Sequence, residues 1–392
     1  MKPTVTLIAN YRPDRQHSML RLAELIEGVL AEQGVAPTVI RPRDRIGRLR
    51  LVMPRFEKWL GYVDKFMLFP IELLTHRLTR PRGNHVYHIT DHSNAAYSFV
   101  LHDHPHVITC NDVLAIRSAR GEIAENPTGT TGQVLQWSIL SGLRHARRIV
   151  CISANTANEL QQLLEDRPIK VSSSLLPLNH PFEPMPVPEA LATLTDHQTS
   201  SGVQISPGFI LHVGGNQWYK NRLGACHIYA NFIARRRRAQ LPCPPLVLAG
   251  ESPSRTVLQF CEDHADLSIQ VIQSPTNIQV QALYSLAGVL LFPSLQEGFG
   301  WPIVEAMACG CPVVTTGQPP MTEAGGQAAL YMNPRDHGAA ADALETVFAW
   351  SPEQRCQQVE RGYRNVNRFD RASLATHLLD AYRDVLPART RR

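Results

Sequence analysis

The sequence predicts an α/β protein built of two doubly wound, Rossmann-like parallel-sheet domains. Three observations carry that expectation. The chain has 392 residues, more than one hydrophobic core usually supports, so two domains of roughly 150–200 residues are expected. Short apolar runs alternate with amphipathic stretches almost throughout, the pattern of parallel strands joined by covering helices. After residue 177 the alternation lapses into LNHPFEPMPVPEALATLTDHQTSSGVQISP, rich in Pro, Ser and Thr, which marks a boundary.

In the first half the strands read as TVTLIAN, HVYHIT, HVITC, RIVCIS and KVSSSLL, with helices over 18–31 and 132–145 among the segments between them. A second series begins at FILHVGG and continues through PLVLAG, LSIQVI, GVLLFP and CPVVTT. These runs set the expected divisions: a first domain over 1–180, a linker over 181–206 and a second domain over 207–368. Two such sheets imply a central cleft between them, and open α/β sheets take ligands at the carboxyl ends of their strands.

Composition narrows the class. With 44% hydrophobic and 19% charged residues the chain reads as a soluble, globular, cytoplasmic protein. Its first residues, MKPTVTLIANY, alternate like a strand and then meet Arg12, Pro13 and Asp14, unlike a signal peptide. No apolar run approaches the roughly 20 residues of a membrane-spanning helix. Eight scattered cysteines read as reduced thiols. Cys309 and Cys311 lie close in sequence but lack further ligands nearby, and alternating His102, His104 and His106 flank a proline in a loop, so no metal site is expected. The net charge of +5 is unevenly spread: residues 41–82 carry eleven Lys or Arg against four acids, interleaved with Trp59, Phe66 and Phe69. Either this is a solvated helical face, or it is a basic amphipathic surface for an anionic membrane or an acidic acceptor. No nucleic-acid motif accompanies it. The arginines at 235–238 read as the end of a surface helix.

The chemistry concentrates in SLQEGFGWPIVEAMACGCPVVTT, residues 294–316. Pro302 suits the first turn of a helix and Gly310 the position just past its end. EGFGW is then the turn between a strand and that helix. Its backbone amides, with the positive end of the helix dipole behind them, make an anion site, and Gly298 and Gly300 let a ligand approach. Glu297 and Glu305 flank it as acceptors for sugar hydroxyls. A diphosphate carrying a sugar at each end, a nucleotide-sugar, fits that description.

The run from Glu297 to Glu305 followed by AMACGCPVV resembles the signature of retaining glycosyltransferases of family 4, which have the GT-B fold. The resemblance extends through GFILHVGGNQWYKNR, PLVLAGE, ALYSLAGVLLFPS and EAGGQAALY, and more loosely through VYHITDHS, VITCND and IVCISANTANEL. It implies that Glu297 faces the donor sugar, that the amides of Gly298, Phe299, Gly300 and Trp301 meet the diphosphate or sugar, and that Glu305 holds the ribose. Lys220, after the Gly214-Gly215 turn, resembles the lysine that neutralises the departing diphosphate. It further implies a hexosyl transfer from a UDP- or GDP-linked donor to a glycan or lipid-linked acceptor, as in polysaccharide assembly, with no cofactor and no metal. The segment over 369–392 resembles the family's final helix, which supports the first domain. The chain departs from the family pattern at three places. No arginine precedes Lys220 in its turn, leaving Asn216 or Arg222 to compensate; Asn111, beside Asp112, stands where the family has a histidine near the transferred sugar; and NYRPDRQHSM replaces a glycine-rich loop. Asp91 and His92 follow a strand and are candidate acceptor-side residues. Two alternatives remain at this stage, a non-catalytic nucleotide-sugar-binding protein and a sugar-nucleotide epimerase of the same architecture.

Overall fold

The computed structural model describes residues 2–52, 54–80, 83–165, 167–201 and 205–387, apart from the side chains of residues 54, 58 and 196–201. Arg82 and the Lys58 side chain of the basic segment thus lie outside the described residues. The chain divides into two compact units, Met1–Asn179 with Asp370–Arg392, and His180–Phe369.

In the first unit β1 (Thr4–Ile8), β2 (Thr38–Ile40), β3 (His85–Ile89), β4 (His106–Cys110), β5 (Arg148–Cys151) and β6 (Lys170–Ser173) pair in the order β2-β1-β3-β4-β5-β6. Every pairing is parallel. All residues of β3, β4 and β5 are buried, as they must be in strands covered by helices on both faces. Polar side chains on such strands need internal partners. His88 finds two, the Thr109 hydroxyl at 2.7 Å and the Tyr382 hydroxyl at 2.8 Å. Tyr382 belongs to the helix Arg371–Val385, which Arg148 and Lys170 also fasten through Asp384 at 3.2 and 2.7 Å. The last helix is therefore an integral part of the first unit.

In the second unit β7 (Ile210–Gly214), β8 (Leu246–Gly250), β9 (Ile269–Gln273), β10 (Val289–Phe292), β11 (Val313–Thr316) and β12 (Ala329–Met332) pair in the order β12-β11-β10-β7-β8-β9, again wholly parallel. The chain leaves β7 for β8 on one side and returns to its other side at β10. The loops after β7 and β10 therefore diverge, which opens a crevice at their carboxyl ends. The segment read as a linker holds a helix, Val187–Ser201, packed on the helix Asn277–Leu286 within this unit. Arg236, expected on a surface, is buried: it donates to Glu345 at 2.9 Å, and its guanidinium lies over Phe232 and Phe348. The aromatics of residues 41–82 divide, Phe69 entering the core while Phe56 and Trp59 are exposed.

Candidate functional site

The site in the second unit is built by two loops laced together. After β7 the chain passes Gly214 and Gly215, makes a short turn at Trp218–Lys220, and enters the helix Arg222–Arg238 through Asn221 in the left-handed region (φ 52°). The Asn221 amide donates to the Pro293 carbonyl at 3.1 Å, and the Leu295 amide donates to the Tyr219 carbonyl at 2.7 Å. That lacing brings Lys220 against Glu297, with Nζ 2.8 and 3.0 Å from the two carboxylate oxygens. Their side chains are only 18% and 8% exposed, so the pair has surrendered most of its hydration and holds its geometry by mutual charge. The ammonium also lies 5.5 Å from the centres of the Tyr219 and Phe292 rings. Residues 77 positions apart, each expected at a ligand, thus meet directly.

The turn after Glu297 depends on glycine. Gly300 has φ 103° and is the N-cap of the helix Trp301–Ala308, with no side chain to satisfy that helix's first amides. Phe299 turns its ring into the core against Trp301 and Phe369, so what it offers a ligand is backbone. Glu305 lies in the same helix, 7% exposed, and accepts from the Tyr284 hydroxyl at 3.0 Å. Burial and then Glu305 itself push the Tyr284 pKa well up, which keeps the phenol a donor.

Asn216 and Arg222, the two residues expected to compensate for an arginine ahead of Lys220, both have partners within the unit. Arg222 is buried behind the loop, donating to the Glu251 carbonyl at 2.7 Å and to Asn216 at 3.3 Å, and burial lowers its pKa. Its Nε and Nη2 are buried with no hydrogen-bond partner among the described residues. Asn216 donates to the Ser252 carbonyl and, through its backbone amide, to Glu251. A Cβ at Gly215 would sit 2.8 Å from a Glu251 oxygen, so a larger residue there would have to displace the Glu251 side chain. Glu251 and Tyr284 are the site residues that motif reading misses. Glu251 closes PLVLAGE at a strand's carboxyl end, and that position was its one sequence signal.

In the first unit Asp91, His92 and Asn111 come together at the ends of β3 and β4. Asp91 accepts from Asn10, Ser93 and, at 3.0 Å, the Asn111 side-chain amide. Burial raises the Asp91 pKa, but bonding to His92, Asn10 and Ser93 outweighs it and holds the carboxyl well below the usual range. Burial lowers the His92 pKa and Asp91 more than restores it, for a net rise. A carboxylate only accepts, so Asn111 gives one side-chain N–H to Asp91 and the other to the Met19 sulfur at 2.8 Å, and its carbonyl oxygen is left buried without a hydrogen-bond partner among the described residues. The donors of Asn111 are therefore both engaged within the first unit. Asp112 accepts from the Leu114 amide at 3.0 Å, at the start of the helix Leu114–Ala119. Among the described residues no group of three His, Cys, Asp or Glu is arranged to hold a metal ion, and Cys309 and Cys311 are buried free thiols.

Residues 208–349, all in the second unit, match the family described as glycosyl transferases group 1. The chain is 25% identical over 264 residues to O-antigen chain mannosyltransferase B of Escherichia coli, covering 64% of each. It is 36% identical over 92 residues to O-antigen chain mannosyltransferase RfbU of Salmonella typhimurium, covering 24% of this chain and 25% of that one. With D-inositol 3-phosphate glycosyltransferase of Corynebacterium efficiens it shares 27% over 194 residues, 48% of this chain and 45% of that one. The chain thus spans less than two thirds of the length of each of these relatives. Among solved structures, the α,α-trehalose 6-phosphate synthase of Burkholderia multivorans superposes with a TM-score of 0.68 at 13% identity, over 98% of this chain and 99% of that one. The sucrose-phosphate synthase of Thermosynechococcus elongatus gives 0.68 at 16%, over 97% and 98%. Likeness at these identities speaks for the fold, which is GT-B.

Proposed function

We propose that this chain is a retaining glycosyltransferase of family 4 that moves a hexose from a nucleotide-diphosphate donor to a polysaccharide, glycolipid or lipopolysaccharide-type acceptor in the cytoplasm. The observation that carries the reading is the buried Lys220–Glu297 pair beside the Gly300 turn, at the crevice between β7 and β10. The amides of 298–301 receive the diphosphate, Glu305 takes the ribose hydroxyls, and Glu297 faces the sugar. In the reaction the bond from the sugar's anomeric carbon to the diphosphate oxygen breaks, and one to the acceptor oxygen forms on the same face. The acceptor's proton passes to the departing phosphate, so no protein base is required. Charge develops on the diphosphate as it leaves, and a pre-placed ammonium lowers that barrier more than it helps binding. The relatives named as O-antigen chain mannosyltransferases support a glycan acceptor.

The test is a panel of UDP- and GDP-linked hexoses with lipid-linked and soluble glycan acceptors, the anomeric configuration of the product read by NMR. Transfer with retention supports the reading. Inversion, epimer formation, or donor binding without transfer under all conditions would reject it.

The reading includes contact with the anionic cytoplasmic face of a membrane through residues 41–82. Leu51, Val52, Trp59, Met67, Ile71 and Leu78 are exposed there among basic residues, which combines shallow insertion with attraction of about 1 kcal/mol per cation near the surface. Flotation with vesicles should need anionic lipid and weaken with salt. Absence of flotation would leave the segment a solvated face.

A further inference from the structure

We infer that the first unit carries a phosphate-binding site of its own, a pocket lined by Arg12, Arg41, Arg43 and Arg48 at the carboxyl ends of β1 and β2, which receives a phosphate or diphosphate group borne by the acceptor. The acceptor assignment rests on the transferase reading above; the anion site does not.

The pocket encloses about 760 Å³, lined by five arginines and a single acid, Asp44. Its walls are two loops clamped together. Tyr11, buried ahead of Arg12, has its hydroxyl 2.8 Å from Asp44 and 2.9 Å from Asp64, so one phenol proton lies between two carboxylates. Asp64, itself buried, accepts the backbone amides of Arg45, Ile46 and Gly47 at 3.1, 3.0 and 2.9 Å. A Cβ at Gly47 would fall 2.4 Å from Asp44, so the loop closes this tightly only with glycine. The backbone carrying the arginines is therefore set before any ligand arrives.

Three of the acids near it are already paired, while Glu24 and Glu27 of the helix His17–Glu32 also act on Arg41. Asp44 is held bidentately by Arg50, through Nη1 at 2.9 Å and Nη2 at 2.8 Å. Arg45 pairs with Glu72, and Asp14 with Lys65. The guanidiniums of Arg12, Arg41, Arg43 and Arg48 have no ion pair among the described residues. Burial, and then Arg12, lower the Arg41 pKa against the opposing pull of Glu24 and Glu27, the sign of like charges brought close and partly out of water. Four cations without an ion pair, only partly offset by Glu24 and Glu27 at Arg41 and by Asp44 at Arg48, repel one another until an anion joins them. Guanidinium forks match phosphate oxygens two at a time, which makes phosphate the anion best suited. The volume exceeds what inorganic phosphate fills, so the pocket also has room for part of the group that bears it.

The test is calorimetric titration of the full chain with inorganic pyrophosphate, comparing the wild type with Arg41→Gln/Arg43→Gln and with Lys220→Met. The wild type should show two binding events. The arginine variant should lose or weaken one by at least about tenfold, while keeping its melting temperature and its affinity for UDP or GDP; Lys220→Met should affect the other. A pyrophosphate isotherm unchanged by the arginine substitutions overturns the site. Two competition arms identify the source of the phosphate: phosphatidic acid vesicles displace pyrophosphate if the group is a lipid headgroup, and glucose 1-phosphate displaces it if the acceptor is soluble. Displacement by neither overturns the acceptor assignment. If pyrophosphate binding survives while no nucleoside diphosphate binds at all, the transferase reading falls and the anion site stands.

Discussion

Lys220 and Glu297 allow structure and chemistry to be separated by one double-mutant cycle. Two unit charges about 4 Å apart attract by about 4 kcal/mol at the effective dielectric of a protein surface, and side chains 18% and 8% exposed sit somewhat deeper than that. Removing one partner strands the other with little water, a loss of about 3–5 kcal/mol for a fully buried pair and about 2–3 kcal/mol here after allowance for the residual exposure of Lys220. Lys220→Met and Glu297→Gln should each destabilise the second unit by about that amount. The double variant strands no charge and should cost less than the sum, with a coupling energy of about 2 kcal/mol. Turnover should behave differently. Lys220→Met should lower kcat by about 10²–10³-fold, the usual loss for one electrostatic stabiliser of a developing anion, and the double variant should recover stability without recovering kcat. Stability is read from denaturant unfolding at neutral pH and kcat from single-donor transfer. If the double variant regained turnover along with stability, Lys220 would serve only to neutralise Glu297, and the proposed charge stabilisation would be wrong.

Further outcomes are expected. Glu305→Ala should weaken donor affinity by about 1.5–3 kcal/mol, and Tyr284→Phe should weaken it less by loosening the Glu305 carboxylate; unchanged calorimetric affinity in both would remove Glu305 from the site. Acid should destabilise the protein early, because burial pushes His88 and His212 down to about 3 and His85 to about 4. Unfolded histidines bind protons below about pH 6.5 that these native ones refuse, so stability is full above that pH and falls as pH drops toward 4, by about 2.7 kcal/mol per unit in the first unit and about 1.4 in the second. His92, raised by Asp91, acts in the opposite sense but only above pH 6.5, so a flat stability profile from pH 6.5 to 5 would refute neutral burial. On the proposed reading, in which Lys220 and backbone amides carry the diphosphate charge, transfer should survive chelation; activity abolished by EDTA and restored by magnesium or manganese would overturn that.

Much of the fold was legible because a parallel strand covered on both faces is predominantly apolar. HVYHIT, HVITC, RIVCIS, FILHVGG, PLVLAG and GVLLFP all announce themselves this way. The two strands that escaped notice, Thr38–Ile40 and Ala329–Met332, lie at sheet edges, where one side has no neighbour and burial is partial. Short runs there leave little hydrophobic signal. The helix Val187–Ser201 was hidden for a related reason: it covers the second unit with few apolar positions and follows a proline-rich approach. Arg236 misled in the opposite direction, because four consecutive arginines read as solvent-facing until two phenylalanines and Glu345 are seen to enclose one of them.

The site was legible as residue types but not as pairings, and the difference lies in sheet order. Glu297 and Lys220 each stand out by their turns, yet nothing in either turn says that β10 lies beside β7, which is what lets the ammonium reach the carboxylate. Asn111 is the sharper case. Read alone it replaces an imidazole donor with an amide donor, a modest change. Once β3 pairs with β4, Asp91 stands next to Asn111 and claims one N–H of its amide, since a carboxylate can only accept. With Met19 taking the other N–H, what Asn111 has left is a buried carbonyl, and a hydroxyl could meet it only by donating. A donor at this place has to come from another residue, and His92, whose Nδ1 lies 3.3 Å from both an Asp91 oxygen and the Asn111 backbone nitrogen, is the imidazole that adjoins it.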